Sequence, residues 1–544
     1  MWAGKVNIWK KPYGARGDVF LIIKKWLLQL SVLIAFLFLV FSLEQRGVVS
    51  TLGPPADNGQ ELRVVTGQKW LTLDPAAAGD PGSAYIINNI YEGLVRYKPG
   101  GLEPEPALAT GWQVEDEGRQ WIFQLRRGVK FHDGSPFDAR AVKFSVDRVM
   151  AEKAKAPYSE MVFGMVDKVE VLDDYTVKFV LKQPYGPFLH NLAMPWAAPI
   201  VSPTAVKESG ADFGRQPAGT GPFKLDKWQE NTLVLTANED YWQKPPRLKR
   251  VVFVYQADEE ARLKSLAAGE ADLADNICHR YNNWAQEQNL KVVQQTGLSI
   301  NYLGYYTNKE PFSSARIRRA VTMAIDRDKL VNEVYGSAMP KGDSYIPPNV
   351  MGHDEAAKQY PYNIAESKRL LSQNGYPKGM SLTLITYRGP RPYNPAGGEQ
   401  LALAVKEQLE AANIRVEVKS YPWEEYQEAL RRQEGDCFLY GWVGDKGDPD
   451  NFLYTLLTSP QIERGLNLTR YQNAQIDRVL AGAQQLNDPQ LRQRLYHTAQ
   501  QTLLQESPLV LFNYGIDNAV IRSNIEGFKM QPVGGYYLYY VNKS

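Results

Sequence analysis

At 544 residues the chain is too long for one ordinary hydrophobic core, so at least two domains are expected. A composition of 44% apolar and 22% charged residues excludes wholesale disorder, and two cysteines exclude a disulfide scaffold. The formal net charge of +2 is uneven: residues 1–43 carry six basic side chains against Asp18 alone, so the remainder is mildly acidic and nucleic acid is not an expected partner.

Residues 1–25 form a basic N-terminal segment. From Trp26 to Leu43 the chain is almost wholly apolar, and Lys24 and Lys25 stand just before it. That is the pattern of a signal peptide or a signal-anchor helix. The run has 18 residues, at the short edge of the roughly 17–25 that span a bilayer. No small-x-small cleavage site follows, and no cysteine for lipid attachment, so an uncleaved N-terminal anchor is favoured. In either case the body is expected on the extracytoplasmic, periplasmic face of the cell membrane. Residues 44–60, rich in Gly, Pro and Ser, read as a linker. Of the two cysteines, Cys437 lies in an apolar run and reads as a buried thiol; spacing does not decide whether it pairs with Cys278.

The folded body begins with a strand at Glu61–Thr66. Tyr85–Val95 carries Ile86, Ile87, Ile90 and Leu94 at helical spacing. Trp121–Arg126 alternates as a strand, and Asp138 reads as the N-cap of a helix with Ala141, Val142, Ser145 and Val149 on one face. Hairpins are expected at Val169–Leu181 and Phe223–Thr236. Gly219-Thr220-Gly221-Pro222 lacks the lysine and helix of a phosphate loop and reads as a tight turn.

The segments EPALATGW, FQLRRGVKFHDGSPFDARAVKFSVDRV, GTGPFKLDKW and ANEDYW occur in this order. Together they resemble the family 5 extracellular solute-binding proteins, which serve ABC importers of peptides, nickel and related solutes. The resemblance implies a two-lobed α/β fold of the type II periplasmic-binding-protein kind, with mixed sheets and an N-terminal hydrophobic helix. It implies a first lobe over 61–302 with an extra subdomain near 97–220, a second lobe over 303–508, and a return to the first lobe over 509–544.

In the second lobe, Tyr302–Asn308 reads as a strand leaving the first lobe. A helix follows in which Arg316, Arg318, Arg319 and Arg327 form a solvated face. Residues 381–443 alternate β-α-β-α-β, which implies a sheet with helices on its faces. Two loops follow strands of that sheet, at the ends where ligands bind in open α/β sheets. The first is Arg388–Pro395, with three prolines stiffening the backbone around Arg391 and Tyr393. The second follows Cys437–Val443 and contains Gly441, Trp442 and Asp445, then Asp448, Pro449 and Asp450, which read mainly as turn formers.

Arg391 and Asp445 offer opposite fixed charges, complementary to a zwitterion. RPYNP followed by GWVGDKGDPDNF is similar to the dipeptide-binding members of the family. The resemblance implies that Asp445 holds a peptide ammonium and Arg391 its terminal carboxylate. Trp442 then borders a side-chain pocket, Gly441 offers main-chain groups, and Tyr393 is a neighbour. The expected partners are a short peptide and the ABC permease; a monomer, no catalysis, no cofactor and no metal are expected. Open alternatives are another family ligand (glutathione, haem, a nickel chelate or an oligopeptide), a membrane-tethered ligand sensor, and a calcium ion on the acidic cluster Asp445, Asp448 and Asp450.

Overall fold

A computed structural model describes residues 60–151, 156–336 and 339–544. The basic segment, the apolar run 26–43 and the linker up to residue 59 lie outside them, and so does the expected anchor. Among the described residues no helix is long and apolar enough to cross a membrane.

Ten strands of the described residues share one sheet. One half runs Phe223–Trp228, Thr232–Ala237, Arg250–Tyr255, Glu61–Thr66 and Leu273–Ala274; the other runs Cys437–Val443, Met380–Tyr387 and Ile414–Tyr421. Glu61–Thr66 is buried along its whole length because it pairs in parallel on both sides. Met380–Tyr387 likewise lies between two parallel neighbours. The helices Gly398–Ala411 and Trp423–Arg431 supply the crossovers.

Two strands belong to both halves. Lys291–Tyr305 and Leu509–Ile521 run antiparallel, pairing Lys291 with Ile521 at one end and Gly304 with Leu509 at the other. The strand expected at Tyr302 therefore begins eleven residues earlier. Its register breaks between Thr296 and Ile300, where the sheet passes from one half to the other. Gly515 lies at this crossing, and a Cβ there would stand 1.8 Å from Ser299 Oγ, so glycine is required for the close approach.

A separate four-stranded antiparallel sheet forms the extra subdomain: Ala109–Glu115, Gln120–Leu125, Thr176–Leu181 and Val166–Asp173. Phe123, Phe179 and Phe188 meet in edge and tilted contacts at its core. The helix Ala139–Ala151 is capped as expected, Asp138 Oδ1 accepting from Ala141 N at 3.1 Å. The first helix is Pro81–Ile90, earlier than its apolar spacing indicated, because Asp80 and Pro81 supply the start and Val95 joins a strand.

The arginine cluster corrects the reading of a solvated face. Arg318 is buried and donates to the carbonyls of Phe312, Ser313 and Glu506. Arg327 is buried against Asp343 at 2.7 Å and against the Gly342 carbonyl. Only Arg316 of the four is exposed, and Arg319 is half-buried. Helical periodicity registers apolar faces and is blind to guanidinium groups that pack inward to close carbonyls.

The loop after Cys437–Val443 is held by charge. Arg492 forms two parallel hydrogen bonds of 2.8 Å with Asp448, both side chains being buried. The remaining Arg492 donors go to Ala483 O and Tyr496 Oη. Burial alone would raise the Asp448 carboxyl, but the Arg492 charge and hydrogen bonds hold it well below the usual carboxylate range. Asp448 and Asp450 are thus structural anchors rather than surface turn formers. Arg492→Leu leaves Asp448 buried without a cation and should cost about 3–5 kcal/mol in urea denaturation at pH 7. A carboxylate depressed in the folded state contributes stability above its unfolded pKa and loses it in acid. The gap between variant and wild type should therefore shrink below about pH 4.

Candidate functional site

Strand Cys437–Val443 ends at the candidate site, which it enters through Val443. Gly441 pairs with Asn301 of the long crossing strand. A Cβ on Gly441 would lie 2.2 Å from the Tyr393 ring, so the missing side chain lets Tyr393 lie against the strand. Trp442 donates from Nε1 to Asn451 Oδ1 at 2.9 Å, and the same oxygen accepts Asp445 N at 3.2 Å. Asn451, which carried no signal in the sequence, fixes both.

Asp445 opens into a cavity of about 200 Å³. Val443, Gly444 and Pro392 line it on one side; Asp80, Tyr158 and Trp196 line it on another. Gly79 and Asp80 come from the loop before the first helix, and Pro81 opens that helix. Among the described residues no group donates to the Asp445 carboxylate. Burial, partly offset by the Lys446 charge, pushes its pKa up to about 6. Burial and then the charge of Asp445 push the nearby Tyr158 phenol up to about 12.

Lys446 follows Asp445 in sequence and points elsewhere. Its ammonium is buried and donates to Asn191 Oδ1 at 2.9 Å and Tyr185 Oη at 3.2 Å, with Asp450 Oδ2 at 3.4 Å. Asp450 Oδ1 accepts from Gln484 at 2.6 Å. Gly447 N donates to Tyr97 Oη at 3.0 Å. The loop of the second half of the sheet is therefore bonded to side chains beside the four-stranded subdomain. These contacts also dismantle the calcium alternative, since Asp448 and Asp450 already spend their oxygens on Arg492, Lys446 and Gln484.

The Arg388–Pro395 loop is closed by reciprocal backbone hydrogen bonds between Arg391 and Asn394, at 2.9 and 2.8 Å. The Asn394 side chain accepts from Tyr335 Oη at 2.8 Å and donates to Tyr387 Oη at 2.9 Å. Arg391 is half-buried, with its guanidinium carbon 3.7 Å from the Trp423 ring centre, and Trp423 stacks on Tyr440. Its Nε is buried without a partner, as is the hydroxyl of Tyr393. Pro392 lines the cavity; Arg391, Trp442, Gly441 and Tyr393 do not. The structure thus sets Asp445 in the cavity, and sets Arg391 on an aromatic stack in the adjoining loop.

The two strands shared by both halves of the sheet contribute Leu298, Ser299 and Asp517, and the C-terminal segment contributes Pro532, Val533 and Gly534. Sequence reasoning missed Asp517, Tyr158 and Trp196. The first sits inside a strand and reads as an interruption of it; the aromatic pair reads as core.

The chain was compared with known proteins. The family model described as "Bacterial extracellular solute-binding proteins, family 5 Middle" matches residues 103–464. A dipeptide-binding protein of Pseudomonas aeruginosa is 31% identical over 486 residues, 85% of this chain and 90% of that one. Among solved structures, HbpA2 from Haemophilus parasuis superposes with a TM-score of 0.83 at 28% identity, covering 89% of this chain and 100% of that one. DppA from Helicobacter pylori, titled an ABC transporter-associated periplasmic binding protein in complex with the peptide STSA, gives 0.72 at 29% identity over 89% and 98%. Both share the two-lobed type II periplasmic-binding fold seen here. The chain belongs to the bacterial extracellular solute-binding proteins of family 5.

Proposed function

We propose that this chain is the solute-binding component of an ABC importer, capturing short peptides, dipeptides foremost, between its lobes on the extracytoplasmic side and delivering them to a membrane permease. The observation that carries the ligand reading is the Asp445 carboxylate, which opens into a cavity with no donor from the protein. A buried carboxylate without a partner is costly, and a peptide ammonium supplies both the charge and the hydrogen bonds. Arg391 is the counterpart for the terminal carboxylate: its backbone is fixed and its planar face rests on Trp423, in the loop whose Pro392 lines the cavity. A cavity of about 200 Å³ is below the roughly 300–1,000 Å³ of drug-sized sites. That supports a dipeptide over haem or a long peptide. Peptide-binding relatives support the same class.

Capture is binding without chemistry. The ligand favours the closed arrangement by bonding groups from both lobes, and a closed arrangement is what a permease can recognise. The protein acts as a monomer, without cofactor or metal.

Isothermal calorimetry with Ala-Ala at pH 7.5 should show Asp445→Ala and Arg391→Ala each weakening binding by about 30-fold or more, the loss expected when one partner of a buried charge pair is removed. Unchanged affinity in both variants would remove the clamp.

A second prediction follows from protonation. Ammonium binding needs the ionised carboxylate, so affinity should fall by up to about tenfold per pH unit below pH 6. Titration at pH 5.5 in two buffers of different ionisation enthalpy should show proton release on binding; its absence shows that Asp445 does not meet the cation.

Stability should move the other way. A carboxyl whose folded pKa lies above its unfolded value contributes stability at acid pH and loses it as pH rises through about 6. Asp445→Asn should therefore melt about 1–3 °C above wild type at pH 7, with the gap closing below about pH 4, while failing to bind.

A further inference from the structure

The ligand reading uses one carboxylate, yet the cavity holds more. Asp80, Asp445 and Asp517 all line it, and none of its lining residues is Lys, Arg or His. Asp80 is accounted for: it caps the helix Pro81–Ile90, its Oδ1 accepting Ser83 N at 2.8 Å. Asp517 has no such employment. It stands on the crossing strand Leu509–Ile521, and among the described residues nothing donates to its carboxylate. Gly297 of the facing strand leaves room for it, since a Cβ there would lie 2.7 Å from Asp517 Oδ2. The side chain is mostly shielded from solvent, and the space it opens into is the cavity.

The neighbouring Asp275 shows what a structural acid in this region looks like. Its Oδ2 accepts from Tyr536 Oη at 3.1 Å and it faces the Arg262 charge, although its Oδ1 is buried without a hydrogen bond among the described residues. Asp517 has neither hydrogen bond nor cation, and burial alone pushes its pKa up to about 7. Asp517 is thus a half-buried carboxylate on an interior strand that faces the cavity and has no donor among the described residues, an arrangement with no evident structural return.

We propose that Asp517 is a second cation-binding group of the same cleft, and that the preferred ligand is a peptide bearing a basic side chain, lysine or arginine, in addition to its α-ammonium. The proposal rests on the peptide reading above and narrows its substrate class. A neutral dipeptide satisfies Asp445 and leaves Asp517 buried and bare. A peptide with a basic side chain satisfies both carboxylates, one through the α-ammonium and one through the side-chain ammonium or guanidinium. Selectivity then comes from the cost of leaving Asp517 unmatched rather than from a separate pocket.

Calorimetry on the purified protein at pH 7.5 with Ala-Ala, Lys-Ala, Ala-Lys and Glu-Ala tests this. Wild type should bind one or both lysine peptides about tenfold or more tighter than Ala-Ala, with Glu-Ala weakest. In Asp517→Asn the lysine advantage should disappear while Ala-Ala stays within about threefold of wild type. Equal wild-type affinity for Ala-Ala and both lysine peptides overturns the Asp517 assignment and leaves the peptide reading standing. So does an Asp517→Asn variant that keeps the lysine preference. No binding of any of the four overturns both. The wild-type comparison decides the matter even if the variant does not fold.

Discussion

The bidentate Asp448–Arg492 pair is the constraint on which the site depends. It lies at the centre of the loop that follows strand Cys437–Val443, with both members buried. Around it Asp450 engages Lys446 and Gln484, Asn451 holds Trp442 and the Asp445 backbone, and Gly447 reaches Tyr97. Among the described residues each charge on this loop has a partner except that of Asp445. The loop is therefore a rigid mount, and the one group left unmatched on it faces the cavity. Burial of ion pairs seldom adds net stability over apolar packing. Here it gives a short polar loop one conformation, which apolar contacts could not do without filling the cavity.

Much of the fold was legible because its signals are local. Alternating β-α-β segments gave the second half of the sheet, Asp138 announced a helix start, and paired hairpin turns gave the edge strands. The family resemblance supplied the two-lobed plan. What stayed hidden was non-local. Nothing in the sequence marks Gly515 as the place where two strands cross, since the clash it avoids is with Ser299, more than two hundred residues away. Arg318 and Arg327 read as solvent-facing because their acceptors are carbonyls of distant segments.

The site divides in the same way. Asp445 and Arg391 stood out as charges on loops after strands; the structure brings Asp445 to the cavity and leaves Arg391 on the adjoining loop, outside its lining. Lys446 did not, because a lysine beside an aspartate looks solvated until Tyr185 and Asn191 are brought to it. Asp448 and Asp450 looked like turn formers for the same reason. Three carboxylates within six residues thus take three roles, and the difference lies wholly in what the rest of the chain places beside them.

The loop from Asp445 to Asn451 has a kinetic meaning as well as a static one. Its bonds to Tyr97, Tyr185 and Asn191 tie the carrier of the ligand's charge partner to the far side of the cleft. An arriving molecule therefore enters before these contacts form, and their formation sets the loop in one conformation around it. Release must then break the loop's contacts with the far side of the cleft. On the proposed reading of Asp445, residence time is then governed by the residues flanking it as much as by Asp445 itself.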